Sequence, residues 1–176
     1  MAKAFVTGAT GFIGSHLVDE LLKKNYEIKC LVRKFSNTKW LKGKQVEYIE
    51  GDLFTDETLK KGLGDADYVY HVGGVTFAKK KEEFYRGNVE ATKSLLEACY
   101  KHNPEIKKFV HVSSQAAVGP SLDGKPIDEA RDYFPLTTYG RSKVEAEKAV
   151  IGYFDKMNCV IVRPPAVYGP RDYAIF

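Results

Sequence analysis

The sequence predicts an α/β domain built on a doubly wound, open parallel sheet, and three observations predict it. Short apolar runs alternate with amphipathic segments along nearly the whole chain. A glycine-rich turn joins the first apolar run to the first amphipathic segment. The chain has 176 residues, of which 44% are hydrophobic and 28% charged, enough for one domain with a sizeable core. Parallel strands need long crossovers, usually helical, so the repeated alternation selects this architecture with helices on both faces.

Strands are expected at residues 4–7, 28–32, 46–49, 68–72, 109–112 and 160–162, where apolar and β-branched residues run between turn signals. Helical periodicity is clearest at residues 13–24, 88–102 and 142–154, with a weaker pattern at 56–62. Residues 119–138 hold three prolines and two glycines and are expected to form a long loop after the fifth strand, the kind of loop that carries function. A turn at Tyr168-Gly169-Pro170-Arg171 follows the sixth strand. The chain reads as a single domain over residues 1–176, with no repeat, linker or low-complexity tract.

Net charge is +4, but the 27 basic and 23 acidic residues are interspersed, so no nucleic-acid partner is expected. The densest basic run, residues 79–81, is followed at once by Glu82 and Glu83. Cys30, Cys99 and Cys159 are odd in number and far apart, which predicts neither a disulfide framework nor a metal site and suits a reducing, cytoplasmic compartment. No stretch approaches the roughly 20 apolar residues of a membrane helix, and no signal peptide opens the chain, so no membrane association is expected.

The first strand runs into Gly8-Ala9-Thr10-Gly11-Phe12-Ile13-Gly14 and then a helix. A pyrophosphate needs backbone N–H groups at a helix N-terminus and no β-carbon in the way, which is what strand, glycine turn and helix provide. The spacing, G-x-x-G-x-x-G, is one residue longer in its first gap than the usual fingerprint. The second strand ends in Arg33 and Lys34, where a site selecting NAD would offer an acid to the ribose 2′-hydroxyl. A guanidinium there suits a 2′-phosphate, so NADP is expected over NAD.

Tyr139 and Lys143 stand four residues apart, on one face if the helix has begun by Tyr139. A phenol ionises near pH 10, and a neighbouring ammonium would lower that value and make it a usable acid or base. Chance alone supplies such a pair among 11 tyrosines and many lysines. Ser113 and Ser114 raise its weight, because they end the fifth strand, where open parallel sheets bind ligands. A serine hydroxyl there would stabilise charge developing on a reacting oxygen.

The ordered series TGATGFIG, GDL at 51–53, HVSS at 111–114, YGRSK at 139–143 and RPPAVYGP at 163–170 resembles the extended short-chain dehydrogenase/reductase family, which contains nucleotide-sugar epimerases and dihydroflavonol-reductase-like enzymes. The longer first gap of the glycine turn is that family's own. The resemblance implies a Rossmann fold whose substrate lobe and last strand are largely missing here, so the chain resembles the cofactor half of such an enzyme. It implies that Gly8, Thr10, Gly11, Phe12, Ile13 and Gly14 face the cofactor, that Asp52 and Leu53 flank its adenine, and that His71 and Gly73 line its ribose and pyrophosphate. It makes Tyr139 the general acid/base, Lys143 the residue that holds the nicotinamide ribose and depresses the tyrosine pKa, and Ser114 the group that orients the substrate oxygen. Pro164 and Val167 would sit by the nicotinamide.

The activity this implies is an NADP-dependent oxidoreductase acting on a carbonyl or secondary alcohol of a small-molecule substrate. The alternatives are a nucleotide-sugar epimerase with tightly bound NAD and a non-catalytic dinucleotide-binding module. Residues 115–119 lack the acidic pair that sugar dehydratases of the family use. Homodimers are common in the family and would form through the helices at 88–102 and 142–154.

Overall fold

The computed structural model describes residues 1–173, and all six expected strands form within them. They are β1 (Lys3–Thr7), β2 (Glu27–Val32), β3 (Glu47–Glu50), β4 (Tyr68–His71), β5 (Lys108–Val112) and β6 (Cys159–Val162). The sheet order is β3-β2-β1-β4-β5-β6, and every neighbouring pair is parallel. The chain thus builds outward from β1 to β3, returns to the other side of β1 with β4, and builds outward again. That reversal opens a crevice at the carboxyl ends of β1 and β4, the place where such sheets bind ligands.

Side-chain alternation divides the core in two. Phe5, Leu31, Ile49, Val69 and Phe109 point to one face and pack with Leu59 and Leu63 of α2 (Asp56–Leu63), Leu95, Leu96 and Cys99 of α4 (Ala91–His102), and Val150 of α5 (Thr138–Ile151). Ala4, Val6, Ile28, Cys30 and Val32 point to the other face, covered by Val18 and Leu21 of α1 (Phe12–Lys23) and by Leu41. Helices therefore occupy both faces, as expected, but unequally. Val110, Val112, Val160 and Val162 alternate onto the second face at the β5–β6 end and remain partly exposed.

Two helices begin earlier than their periodicity suggests. The helix expected from residue 88 starts with a short turn, α3 (Lys81–Phe84), widens into a π-helical turn over Tyr85–Glu90 and continues as α4. Its first turn is charged and has no buried residue, so no apolar stripe marks it until Asn88 and Val89 turn inward. The helix expected from residue 142 starts at Thr138, because the Thr137 hydroxyl caps it by accepting the Gly140 N–H at 2.9 Å. That cap places Tyr139 in the first turn, on one face with Lys143. Among the described residues, no helix is long and apolar enough to cross a membrane.

Leu95 is fully buried between the sheet and the α2/α4 layer. Leu95→Ala is expected to cost about 3 kcal/mol, read as a lower urea midpoint with an unchanged slope.

Candidate active site

The glycine turn separates into positions the fold requires and one it does not. Gly8 has φ +73°, and a β-carbon on it would fall 2.5 Å from the Gly73 nitrogen. A β-carbon on Gly14 would fall 2.1 Å from the Gly8 carbonyl oxygen. Both are demanded by packing alone. Gly11 differs: it is exposed, its φ is −83°, and an added β-carbon would come no closer than 3.4 Å to the Gly8 oxygen. No side chain caps α1 at Gly11, and no acid occupies its first turn, so the opening N–H groups and the positive end of the helix dipole face the crevice. A glycine that the fold tolerates losing, beside uncapped N–H groups, fits an anion that approaches the backbone closely.

Behind the turn, a buried chain of hydrogen bonds ties β1 to β4 and α4. The Gly73 N–H donates to Thr7 Oγ1 at 3.3 Å, and the Thr7 hydroxyl lies 2.7 Å from His71 Nδ1. His71 Nε2 lies 2.9 Å from Thr92 Oγ1, whose hydroxyl donates to the Asn88 carbonyl at 2.6 Å. Since Thr92 spends its proton on Asn88, it accepts from His71 Nε2–H, and Nδ1 accepts from Thr7, which assigns the tautomer. Burial, then the Lys143 charge, push His71 down to about 3, so the ring is neutral. The ring is fully buried, so its hydrogen bonds hold the backbone at the end of β4, which faces the crevice. Gly73 lies against Gly8 at that surface.

Asn88, unremarked in the sequence, clamps the loop after β4. Its Oδ1 accepts the Val75 N–H at 2.7 Å, and its Nδ2 donates to the Val75 carbonyl at 3.0 Å and to Ser142 Oγ at 2.9 Å. The Ser142 hydroxyl in turn donates to the Tyr139 carbonyl at 2.7 Å. The π-helical turn carries Asn88 to this position, and Gly87 lets it pack on Val75.

The structure brings Ser114, Tyr139 and Lys143 to the carboxyl end of β5. Ser114 opens a short turn (Gln115–Ala117), its Oγ accepting the Ala116 N–H at 3.1 Å, and its side chain lies near the Tyr139 phenol. Burial pushes the Tyr139 phenol up, and the neighbouring Ser114 hydroxyl opposes it. The depression of that phenol by Lys143 expected from the spacing does not arise in this arrangement, where burial and Ser114 are the influences on Tyr139. Lys143 is itself buried, donates to the Val112 carbonyl at 2.9 Å, and is pushed by burial down to about 8 while Glu147 draws it upward.

Arg33 is exposed just past β2, where its N–H donates to Ser36 Oγ at 3.2 Å. It stands at the same sheet edge as Gly8, since β2 pairs with β1. Asp52 forms a turn: its Oδ1 accepts the Phe54 N–H and the Thr55 hydroxyl, each at 2.9 Å. Leu53 packs on the core, and its carbonyl accepts the Ser94 hydroxyl at 2.5 Å. Ile13, Pro164 and Val167 meet in one open apolar cavity of about 390 Å³, with Val112, Val162 and Arg163. Phe12 packs edge-on to His16, away from that cavity's lining, and Thr10 is half-buried in the turn.

The NAD dependent epimerase/dehydratase family matches over residues 4–176. The chain belongs to that family. It is 34% identical to the ceramide reductase of Caulobacter vibrioides, covering 95% of this chain and 47% of that protein. It is 30% identical to a 4-hydroxy-2-methyl-3-oxo-4-farnesyl-3,4-dihydroquinoline-1-oxide ketoreductase of Stigmatella aurantiaca, covering 98% and 52%. Among solved structures, UDP-glucuronic acid 4-epimerase from Bacillus cereus in complex with NAD superposes with a TM-score of 0.84 at 32% identity, covering 97% of this chain and 58% of that one. The chain spans about half the length of the curated relatives it matches. These likenesses agree with the Rossmann architecture and with the extended short-chain dehydrogenase/reductase resemblance.

Gly14→Ala is expected to destabilise the chain by about 2 kcal/mol or more through overpacking, whereas Gly11→Ala should stay within about 1 kcal/mol. Thermal unfolding of the two variants side by side checks this. Equal losses would remove the distinction between the glycine the fold needs and the one it does not.

Proposed function

We propose that this chain forms the cofactor-binding part of an NADP-dependent oxidoreductase that reduces a carbonyl, or oxidises a secondary alcohol, on a small-molecule substrate. The observation that carries the reading is the gathering of Ser114, Tyr139 and Lys143 at the carboxyl end of β5, the sheet edge that also holds the uncapped glycine turn. Gly8, Gly11 and Gly14 would hold the pyrophosphate on backbone N–H groups. Arg33 would meet the 2′-phosphate, and Ile13, Pro164 and Val167 would offer the nicotinamide an apolar wall. The bound nicotinamide supplies or accepts the hydride.

The chain's own groups do the rest. The half-buried Tyr139 phenol, pushed up by burial, keeps its proton at neutral pH, which is the form that protonates a carbonyl oxygen receiving hydride. The Ser114 hydroxyl would donate to the same oxygen and hold it against Tyr139. Lys143 uses one N–H on the Val112 carbonyl and has the remaining donors to offer the ribose hydroxyls. A nucleotide-sugar epimerase using NAD is the second reading, favoured by the overlay on the Bacillus cereus epimerase and using the same three residues in both directions.

Calorimetric titration with NADPH and NADH separates the two readings, because only the first expects a preference for NADPH. Arg33→Asp should weaken NADPH binding by about tenfold or more and leave NADH nearly unchanged. An unchanged NADPH affinity in that variant removes Arg33 from the site. In any carbonyl reduction the protein catalyses, Tyr139→Phe should lower the rate by about 100-fold or more while NADPH affinity stays within about threefold.

A further inference from the structure

Glu147 lies one turn beyond Lys143 on α5, and none of its side chain is exposed. A buried carboxylate is costly unless its oxygens are taken up, and here they are. The Ser113 hydroxyl donates to Oε1 in a short hydrogen bond. Arg163 grips the carboxylate from the other side, with Nε 3.1 Å from both oxygens and Nη2 2.8 Å from Oε2. Arg163 lies over the Tyr133 ring at 5.3 Å while donating to the Glu129 carbonyl at 3.3 Å.

The partners matter because of what they adjoin. Ser113 precedes Ser114, Arg163 precedes Pro164, and Lys143 shares the face of α5 that carries Glu147. One carboxylate therefore joins the three separate chain segments that bear the proposed site, and through Tyr133 and Glu129 it also ties down the long loop before α5. A purely architectural ion pair has no reason to select those three neighbours.

We propose that Glu147 is a positioning residue, whose carboxylate sets Ser114, Lys143 and Pro164 relative to one another and holds the Lys143 ammonium in place. The proposal rests on the functional reading above for its purpose, though its central effect is visible without any cofactor. Lys143 is faced by Tyr139 and Glu147 on its own helix, by His111 and the Val112 carbonyl on β5, by His71 on β4, and by Gly74 after β4. Burial keeps both imidazoles neutral, so Glu147 is the group that opposes the cost of burying the ammonium. Removing the carboxylate must then lower the pH at which Lys143 loses its proton.

The test is an NMR titration of the lysine Cε and Nζ signals in the ligand-free chain, with Lys143 assigned by its loss in Lys143→Arg. The wild-type midpoint is expected near 8. In Glu147→Gln it should fall by about one pH unit or more, with Glu147→Asp recovering part of the shift. NADPH affinity at neutral pH should drop about tenfold in Glu147→Gln, its pH profile moving down in step. A folded Glu147→Gln with the wild-type Lys143 midpoint overturns the proposal. Where that variant strands Arg163 and fails to fold, Glu147→Gln combined with Arg163→Gln replaces it. Arg163 is not among the groups acting on Lys143, so the midpoint must fall there too, and an unchanged one overturns the proposal equally. Because the titration needs no cofactor, it decides the role of Glu147 even if the wild-type chain binds neither NADPH nor NADH, a result that overturns the functional reading alone.

Discussion

The contact between Gly8 and Gly73 is the constraint on which the site depends. It brings the carboxyl ends of β1 and β4 closer than any side chain at position 8 allows, and it is what turns the topological reversal of the sheet into a crevice with a backbone floor. The floor is held from beneath rather than from the solvent side. Thr7, His71 and Thr92 pass hydrogen bonds from Gly73 to α4, and Asn88 and Ser142 continue them to the backbone of Tyr139. Every polar atom in that chain is matched, so loss of one member would leave another buried without a partner, at a cost of about 1–3 kcal/mol. The glycine turn and the tyrosine helix are thereby parts of one rigid arrangement, although more than a hundred residues of sequence lie between them.

Charge is distributed to suit this arrangement. Two histidines lie side by side beneath Lys143, their rings 5.3 Å apart, and burial keeps both uncharged. Two protonated rings there would repel the ammonium in a medium of low dielectric. The compensating negative charge comes instead from Glu147, itself held by Arg163 and Ser113. Pairs at the surface, such as Lys101 with Asp56 or Lys23 with Glu20, are largely screened by solvent and contribute little to stability. The buried Glu147–Arg163 pair is different in kind, because removing one partner strands the other away from water, at about 3–5 kcal/mol.

The two faces of the sheet also differ in what they do. One is sealed by α2, α4 and α5 and carries the larger core. The other is sealed by α1 only over β1 and β2, and toward β6 it presents partly exposed valines and the apolar cavity that gathers Ile13, Pro164 and Val167. The larger core and the open apolar surface thus lie on opposite sides of the same strands, so His111 and Val112, adjacent in sequence, belong to different environments.

The sequence by itself determined the six strands, their helical crossovers, the glycine turn and the spacing of Tyr139 and Lys143, because all of these are local patterns. Period-2 and period-3.6 hydrophobicity, a glycine triplet after a strand and an i,i+4 pair can be read within a few residues of one another. Tertiary structure decided what depends on partners distant in the chain. His71 at a strand end is indistinguishable in sequence from a ligand-facing residue until Thr7 and Thr92 are seen to occupy both ring nitrogens. Asn88 in a helical pattern carries no local sign that a π-helical turn will aim it at Val75. Glu147 offered one faint signal, an acid on the face of α5 that also bears Val144 and Val150, but its role follows from Arg163 and Ser113, which the fold alone brings to it. The direction of the Tyr139 shift was decided in the same way: spacing puts a lysine on the face of the phenol, while burial, which only packing sets, pushes the phenol up.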